Sequence, residues 1–86
     1  MEANKIYLLT QKLSKKGDVE VKKYACKDME KARKDFDREV AFFKADGYEG
    51  AEQAMYDVET YIRVAKLTNK AGDVFRIRLE AIELYE

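Results

Sequence analysis

The segment Lys12-Leu13-Ser14-Lys15-Lys16-Gly17-Asp18-Val19 has the pattern of a β-hairpin turn, and a similar pattern, one residue longer, recurs as Lys66-Leu67-Thr68-Asn69-Lys70-Ala71-Gly72-Asp73-Val74. Each segment places polar residues and one glycine between runs rich in aliphatic and β-branched residues. This pattern is typical of a β-hairpin whose glycine supplies a positive φ. A helical pattern lies between the two hairpins. The sequence therefore predicts an α+β fold of order β-β-α-β-β, with a four-stranded, mainly antiparallel sheet and one helix packed on one face.

The register of the first hairpin determines which of its side chains share a side. We expect strands at Lys5–Leu13 and Val19–Cys26, with Ser14 opposite Asp18 across a three-residue turn. A β-bulge that shifts this register partway is the alternative. The register without a bulge places two sets of apolar residues on opposite sides of the hairpin. The first set is Tyr7, Leu9, Leu13, Val19, Val21 and Ala25; the second is Ile6, Leu8, Tyr24 and Cys26.

The helix is the clearest single element of the sequence. Asp28 is a suitable N-cap, since its carboxylate can accept a hydrogen bond from a free backbone N–H at the helix start. Gly47 suits the position just after the helix end, and Tyr48 is expected to pack back on the last turn. Phe42 falls off the apolar stripe. The stripe has helical spacing and consists of Met29, Ala32, Phe36, Val40 and Phe43.

The second half of the chain contains one uncertain segment and one regular hairpin. The segment Tyr48–Tyr56 is expected to form a short helical turn or an irregular crossing. Strands at Val58–Leu67 and Val74–Leu84 are expected to pair with Arg63 opposite Arg78 on the outer side. A bulge near Glu80–Ile82 would explain the change of apolar phase after Ala81. The predicted inner set is Val58, Thr60, Ile62, Val64, Phe75, Ile77, Leu79 and Ala81.

Length and composition indicate a single domain over residues 1–86. Apolar residues make up 47% of the chain, so we expect a core rather than disorder. One cysteine, Cys26, cannot form an internal disulfide. The sequence shows no signal peptide pattern and no long apolar run. We therefore expect a soluble, cytoplasmic protein without a membrane partner.

Charge is balanced overall and uneven along the chain. The formal net charge is +0, which argues against a dedicated nucleic-acid binder. Residues 12–34 nevertheless hold nine basic and four acidic residues, and residues 46–62 hold five acidic residues and no base. These two segments are either partner surfaces or ordinary solvated charge.

Catalytic and cofactor motifs are missing from the sequence. It contains no histidine, which removes the commonest general base and metal ligand. Asp35, Asp37 and Glu39 lack the glycine and the distal glutamate of a calcium loop. No lysine followed by serine or threonine accompanies Gly47 and Gly50, so they do not form a phosphate loop. We expect no enzyme activity, no cofactor, no metal and no small-molecule ligand.

Three surfaces are candidate binding sites. The first is an apolar interface on the open sheet face, predicted at Ile6, Leu8, Tyr24 and Tyr61. The second is an acidic partner surface at Asp46, Glu49, Glu52, Asp57 and Glu59. The third is a set of nucleic-acid contacts at Lys15, Lys16, Lys22 and Lys23.

The favoured function is a small protein–protein interaction module that acts by surface contact. Exposed apolar patches usually mark interfaces, so a homodimer through the open sheet face or an edge strand is expected. An accessory or inhibitor protein of a phage or mobile element would have this character. A nucleic-acid-binding module using the basic Lys12–Lys34 region is the alternative.

Overall fold

The computed structural model describes residues 4–56 and 61–84, and the side chains of residues 5–54 and 62–83. Within those ranges the chain forms one helix and five strands, so the predicted α+β class is confirmed and the predicted number of strands is wrong. The sheet has the order β2-β1-β5-β4-β3, and every neighbouring pair is antiparallel. In chain order the elements are β1 (Asn4–Lys15), β2 (Asp18–Cys26), α1 (Met29–Ala45), β3 (Glu49–Tyr56), β4 (Tyr61–Thr68) and β5 (Val74–Leu84).

The fifth strand is β3, which was expected to be a helical turn or an irregular crossing. Its residues pair with β4 in one continuous register, from Glu49 opposite Thr68 to Tyr56 opposite Tyr61. The sequence of β3 shows little alternation of apolar and polar residues, because Gly50 and Ala51 have small side chains. Gly50 is required by close packing, since a Cβ at this position would collide with the carbonyl oxygen of Lys66. Pairing with β4 therefore determines the conformation of this segment.

The first hairpin closes through a two-residue turn instead of the three-residue turn predicted. Lys15 pairs with Asp18, and the turn residues Lys16 and Gly17 have φ of 42° and 90°. Positive φ at both positions defines a type I′ turn, which matches the twist of the flanking strands. The register is shifted by one residue from the prediction, and such a shift moves every side chain of one strand to the opposite side.

As a consequence, each side chain of β2 lies on the side of the sheet opposite to the one predicted for it. Tyr24 lies opposite Leu9 and Cys26 opposite Tyr7, so both face the side that holds the helix. Val19 and Val21 lie on the other side, where they are 56% and 52% exposed. For β1 the prediction is correct: Tyr7, Leu9 and Leu13 lie on the helix side of the sheet, and Ile6 and Leu8 lie on the other side. The register runs unbroken from Lys15 to Tyr7, so no bulge is present.

The second hairpin is also shifted by one residue. Thr68 pairs with Val74, and the turn is held by Asn69, whose Oδ1 accepts a hydrogen bond from the Asp73 backbone N–H at 2.9 Å. Arg63 consequently pairs with Leu79 and faces the core, instead of facing outward opposite Arg78. Ile62 and Val64 lie on the opposite side, so their predicted inner position is wrong. Val58 and Thr60 of the predicted inner set lie outside the described residues.

The two hairpins meet through β1 and β5, which form the centre of the sheet. Their register is continuous from Asn4 opposite Leu84 to Ser14 opposite Val74. No bulge therefore occurs between Glu80 and Ile82. Ile82 lies on the uncovered side because the strand continues its regular alternation.

Helix α1 begins and ends as its sequence predicts. The carboxylate of Asp28 accepts hydrogen bonds from the backbone N–H of Glu30 at 2.9 Å and of Lys31 at 3.4 Å. After the last turn Gly47 has a φ of 90°, and Tyr48 donates its backbone N–H to the Phe43 carbonyl at 3.0 Å. This is the hydrogen-bond pattern of a Schellman motif.

The core lies between α1 and alternate residues of the central strands. Phe36 is 0% exposed, and the ring of Phe43 stacks on that of Phe75 with a centroid distance of 3.8 Å. Phe42 is 64% exposed, as its position off the stripe predicts. The buried apolar residues are Leu9, Ala32, Phe36, Val40, Tyr48, Ala65, Leu67, Phe75, Ile77 and Leu79.

No helix within the described residues is long and apolar enough to cross a membrane.

Candidate functional site: the uncovered sheet face

The side of the sheet away from α1 combines an apolar part and a basic part. We call this side the uncovered face; its residues alternate with those of the core along each strand. They come from β2, β1, β5 and β4, with Ala51 and Gln53 of β3 at the margin. The residues of this face on the four strands include Val19, Val21, Lys23, Ala25, Ile6, Leu8, Thr10, Lys12, Val74, Arg76, Arg78, Glu80, Ile82, Ile62, Val64 and Lys66.

The apolar part occupies one end of this face, and we call it the apolar patch. Ile6 lies directly opposite Ile82, and Leu8 lies opposite Glu80, whose other neighbour is Ile62. All four apolar side chains are half-buried. Directly opposed residues in antiparallel strands have Cβ atoms about 4.5–5.5 Å apart. Ile6 and Ile82 are therefore direct neighbours, and Glu80 lies between Leu8 and Ile62.

The basic part lies next to the apolar patch. Lys12 is directly opposite Arg76, and Arg76 is directly opposite Lys66, so three cations form a row across three neighbouring strands. Lys23 and Arg78 lie in the adjacent row, on either side of Thr10. All five basic side chains are exposed. We call these five residues the basic rows.

Like charges directly opposite each other destabilise a sheet, so the basic rows carry an energetic cost. Arg78 is bridged to Glu80 at 3.3 Å. The ion pairs formed within the described part of the chain involve neither Lys12, Lys66 nor Arg76. These three charges are therefore available to a ligand with negative charge.

The residues predicted to form the apolar interface do not all lie on the same side of the sheet. Ile6 and Leu8 lie together in the apolar patch, whereas Tyr24 lies on the helix side, where it is 51% exposed. The backbone of Tyr61 begins β4, but its side chain is outside the part described. Ile62 and Ile82 complete the patch instead. A two-residue Lys16-Gly17 turn would have been the sequence signal for the correct register of the first hairpin.

The four predicted nucleic-acid contacts are also separated. Lys15 and Lys16 lie at the tip of the first hairpin. Lys22 and Lys23 lie on opposite sides of β2, and only Lys23 belongs to the basic rows. The remaining members of those rows were not predicted, because they become neighbours only when strands distant in sequence pair.

The predicted acidic segment does not form one described surface. Asp46 is the C-cap of α1, and Glu49 lies on β3 opposite Thr68. Glu52 is engaged on the helix side by Arg63, whose Nε donates to Glu52 Oε1 at 2.9 Å. Asp57 and Glu59 lie outside the described residues.

A small cavity on the helix side contains a buried amide. It has a volume of about 180 Å³, and its lining includes Gln11, Tyr24 and Phe42. Gln11 is only 8% exposed, and its side chain makes no hydrogen bond within the described residues. A cavity of this size admits several water molecules, which can hydrogen-bond such an amide. Water in this cavity would satisfy the hydrogen-bonding groups of the Gln11 amide.

No protein-family model matches the sequence, and neither a curated protein nor a solved structure matches it significantly.

Proposed function

We propose that this protein is a non-enzymatic interaction module that binds a partner protein through its uncovered face. The observation that carries the proposal is the apolar patch, in which the half-buried side chains of Ile6, Leu8, Ile62 and Ile82 lie together around Glu80 on the face that α1 does not cover. A contiguous apolar surface bordered by polar residues is typical of an interface.

The neighbouring basic rows indicate the chemistry of the partner. A surface that combines aliphatic groups with carboxylates would bury the apolar patch and pair with Lys12 and Arg76 at the same time. Charge complementarity of this kind increases the association rate and excludes partners of the wrong sign. We therefore propose a partner with an apolar surface bordered by acidic residues.

Site-specific photo-crosslinking in cells that naturally contain the protein tests this proposal. A photoreactive phenylalanine analogue replaces Ile82 in the patch or, as a control, the exposed helix residue Lys34. We expect protein adducts from position 82 and not from position 34. Leu8→Lys should abolish the adducts, whereas Val19→Lys, which adds the same charge to the far end of the same face, should preserve them. Equal adducts from both positions, or none from position 82, would contradict the proposal.

A second candidate function is supported by the row formed by Lys12, Arg76 and Lys66. Nucleic-acid phosphates would relieve the repulsion among these cations, and such binding depends steeply on salt. With three to five phosphate contacts, log Kd would change with log salt concentration by a slope of about 2.7–4.5 for duplex DNA and about 2–3.5 for single strands.

Fluorescence anisotropy with labelled single-stranded and duplex DNA and RNA of mixed sequence decides this second candidate. The double variant K12E/R76E should abolish salt-dependent binding. The matched variant K15E/K16E makes the same charge change at the hairpin tip and should retain it. Absence of binding by the unmodified protein at low salt would eliminate nucleic acid and favour the protein partner.

A further inference from the structure

Strand β2 forms one edge of the sheet, and no described residue pairs with its outer side. Within the described residues β2 pairs only with β1. All its residues are exposed except Cys26, which is half-buried. An unpaired edge strand presents a row of N–H and C=O groups that can pair with another strand.

The turn at Lys16-Gly17 determines which backbone groups of β2 point outward. In a two-residue turn the residues on either side, Lys15 and Asp18, are joined by the turn hydrogen bond. Inward-pointing residues then alternate with outward-pointing residues along the strand. The free N–H and C=O groups therefore belong to Val19, Val21, Lys23 and Ala25.

A second copy of β2 could pair with these groups in several antiparallel registers, and the side-chain charges distinguish them. When Val21 lies opposite Val21 of the second copy, Glu20 of each copy lies opposite Lys22 of the other. Centring the pair on Glu20 or Lys22 instead places two like charges directly opposite each other, as does centring it on Lys23. Opposite charges in direct register stabilise a strand pair, and like charges destabilise it.

The Val21-centred register also creates a closed arrangement of charges. Glu20 and Lys22 already lie on the same side of β2, with Oε1 and Nζ 3.6 Å apart. In the paired strands the two glutamates and two lysines alternate around the two-fold axis. About six backbone hydrogen bonds would form, two for each of three hydrogen-bonded pairs.

We propose that two copies of this protein associate through β2, antiparallel and centred on Val21, to form a continuous ten-stranded sheet. The two uncovered faces then lie on the same side and form one surface. This inference is independent of which molecule the uncovered face binds. A two-fold arrangement of this kind is closed, so assembly stops at the dimer.

The opposite edge of the sheet lacks this self-complementarity. The charged residues of β3, Glu49 and Glu52, are both acidic, so a second copy of β3 offers them no base. Charged side chains on an edge strand disfavour self-pairing unless they find opposite charges on the added copy. The two edges therefore differ in the property that determines whether a copy can add.

A disulfide test reports the register directly. In the C26S background Val21→Cys should form a disulfide-linked dimer under mild oxidation, because hydrogen-bonded residues lie about 5.5 Å apart between Cα atoms. Lys23→Cys alone should not, since its predicted opposite residue is Val19. Mixing V19C and K23C proteins should restore cross-linking. Efficient cross-linking of K23C alone would show a different register and overturn the proposal.

Sedimentation equilibrium with charge-swapped and proline variants provides the second test. The unmodified protein should show twice its monomer mass of 10.0 kDa at high micromolar concentration. Glu20→Lys should return it to monomer, and E20K/K22E should restore the dimer. Val21→Pro removes an N–H that points away from β1 and has no partner in residues 4–56 and 61–84, so the fold should survive while the dimer is lost. A monomeric unmodified protein, a dimeric V21P variant, or open-ended polymers formed by β2 with β3 would each refute the model.

Discussion

The guanidinium carbon of Arg63, on β4, lies 4.3 Å from the centre of the Phe36 ring, on α1. Phe36 is fully buried, and Arg63 is 9% exposed. Its Nη2 donates to Asp37 Oδ1 at 2.8 Å and also to Glu52. One cation thereby joins β4, α1 and β3.

Replacing Arg63 should destabilise the fold more than replacing any surface arginine. Arg63→Ala is expected to lower the free energy of unfolding by about 2–4 kcal/mol, from lost charge-assisted hydrogen bonds and the cation–π contact. Arg63→Lys should cost about 1–2 kcal/mol, because an ammonium cannot reproduce the planar, multiply bonded geometry. Arg78→Ala is the control and should cost about 0–1 kcal/mol. Urea denaturation measures all three; a similar loss for R63A and R78A would contradict the structural role.

The contribution of Arg63 should not be lost at alkaline pH. Burial alone lowers the pKa of Arg63, but hydrogen bonds and charge attraction from Glu52 and Asp37 outweigh burial and raise it above its ordinary value. A cation whose pKa is higher in the folded state stabilises below its unfolded pKa, and the effect disappears only as pH rises through the folded pKa. The stability difference between the unmodified protein and R63A should therefore stay constant from about pH 6 to about pH 9. Denaturation series at several pH values test this, and a progressive decrease across that range would disagree with it.

Substitutions of buried residues should lower the free energy of unfolding much more than a substitution on the exposed face of the helix. Phe36→Ala and Ile77→Ala are each expected to cost about 3–5 kcal/mol, because both side chains are almost completely buried. That loss is comparable to the total stability of a small domain. Phe42→Ala should cost less than about 1 kcal/mol, since most of its surface is exposed. Chemical denaturation compares the three variants, and equal losses at Phe36 and Phe42 would show that the helix face is misassigned.

The basic rows should make the protein less stable than a charge-alternating sheet. Arg76→Glu places a carboxylate between Lys12 and Lys66, and should raise the unfolding free energy by about 0.5–1 kcal/mol. Arg33→Glu, the same change on exposed helix α1, should give no gain. Thermal and urea unfolding provide the values. A destabilised R76E protein would mean that repulsion in this row is already relieved within the monomer.

Metal and nucleotide titrations should show no specific binding. The sequence has no histidine and one cysteine, and the residues the structure describes contain no group of three potential metal-ligating side chains. Calorimetric titration with Zn²⁺, Ca²⁺ and nucleotides is expected to give only heats of dilution. The melting temperature should be the same with and without a chelator. A saturable, stoichiometric heat would overturn the proposed non-enzymatic function.

Features that depend on residues close together in the chain could be predicted from the sequence. The Asp28 cap, the apolar stripe through Phe36 and the helix end at Gly47 agree with the structure, because local hydrogen bonds and helical spacing specify them. The α+β class follows from two hairpin patterns on either side of this helix. The inward side of β1, with Leu9 in the core, was also predictable from alternation.

The strand registers, and therefore both candidate surfaces, could not be predicted from the sequence, because they depend on pairing between strands. A one-residue change at Lys16-Gly17 moved Tyr24 to the helix side, and a similar change in the second hairpin moved Arg63 into the core. Strand β3 became evident only through its pairing with β4, since its own residues carry little apolar signal. The row of Lys12, Arg76 and Lys66 comes from three strands separated along the chain. Hydrogen-bonded pairing between distant segments brings such residues together, and the local sequence does not encode that pairing.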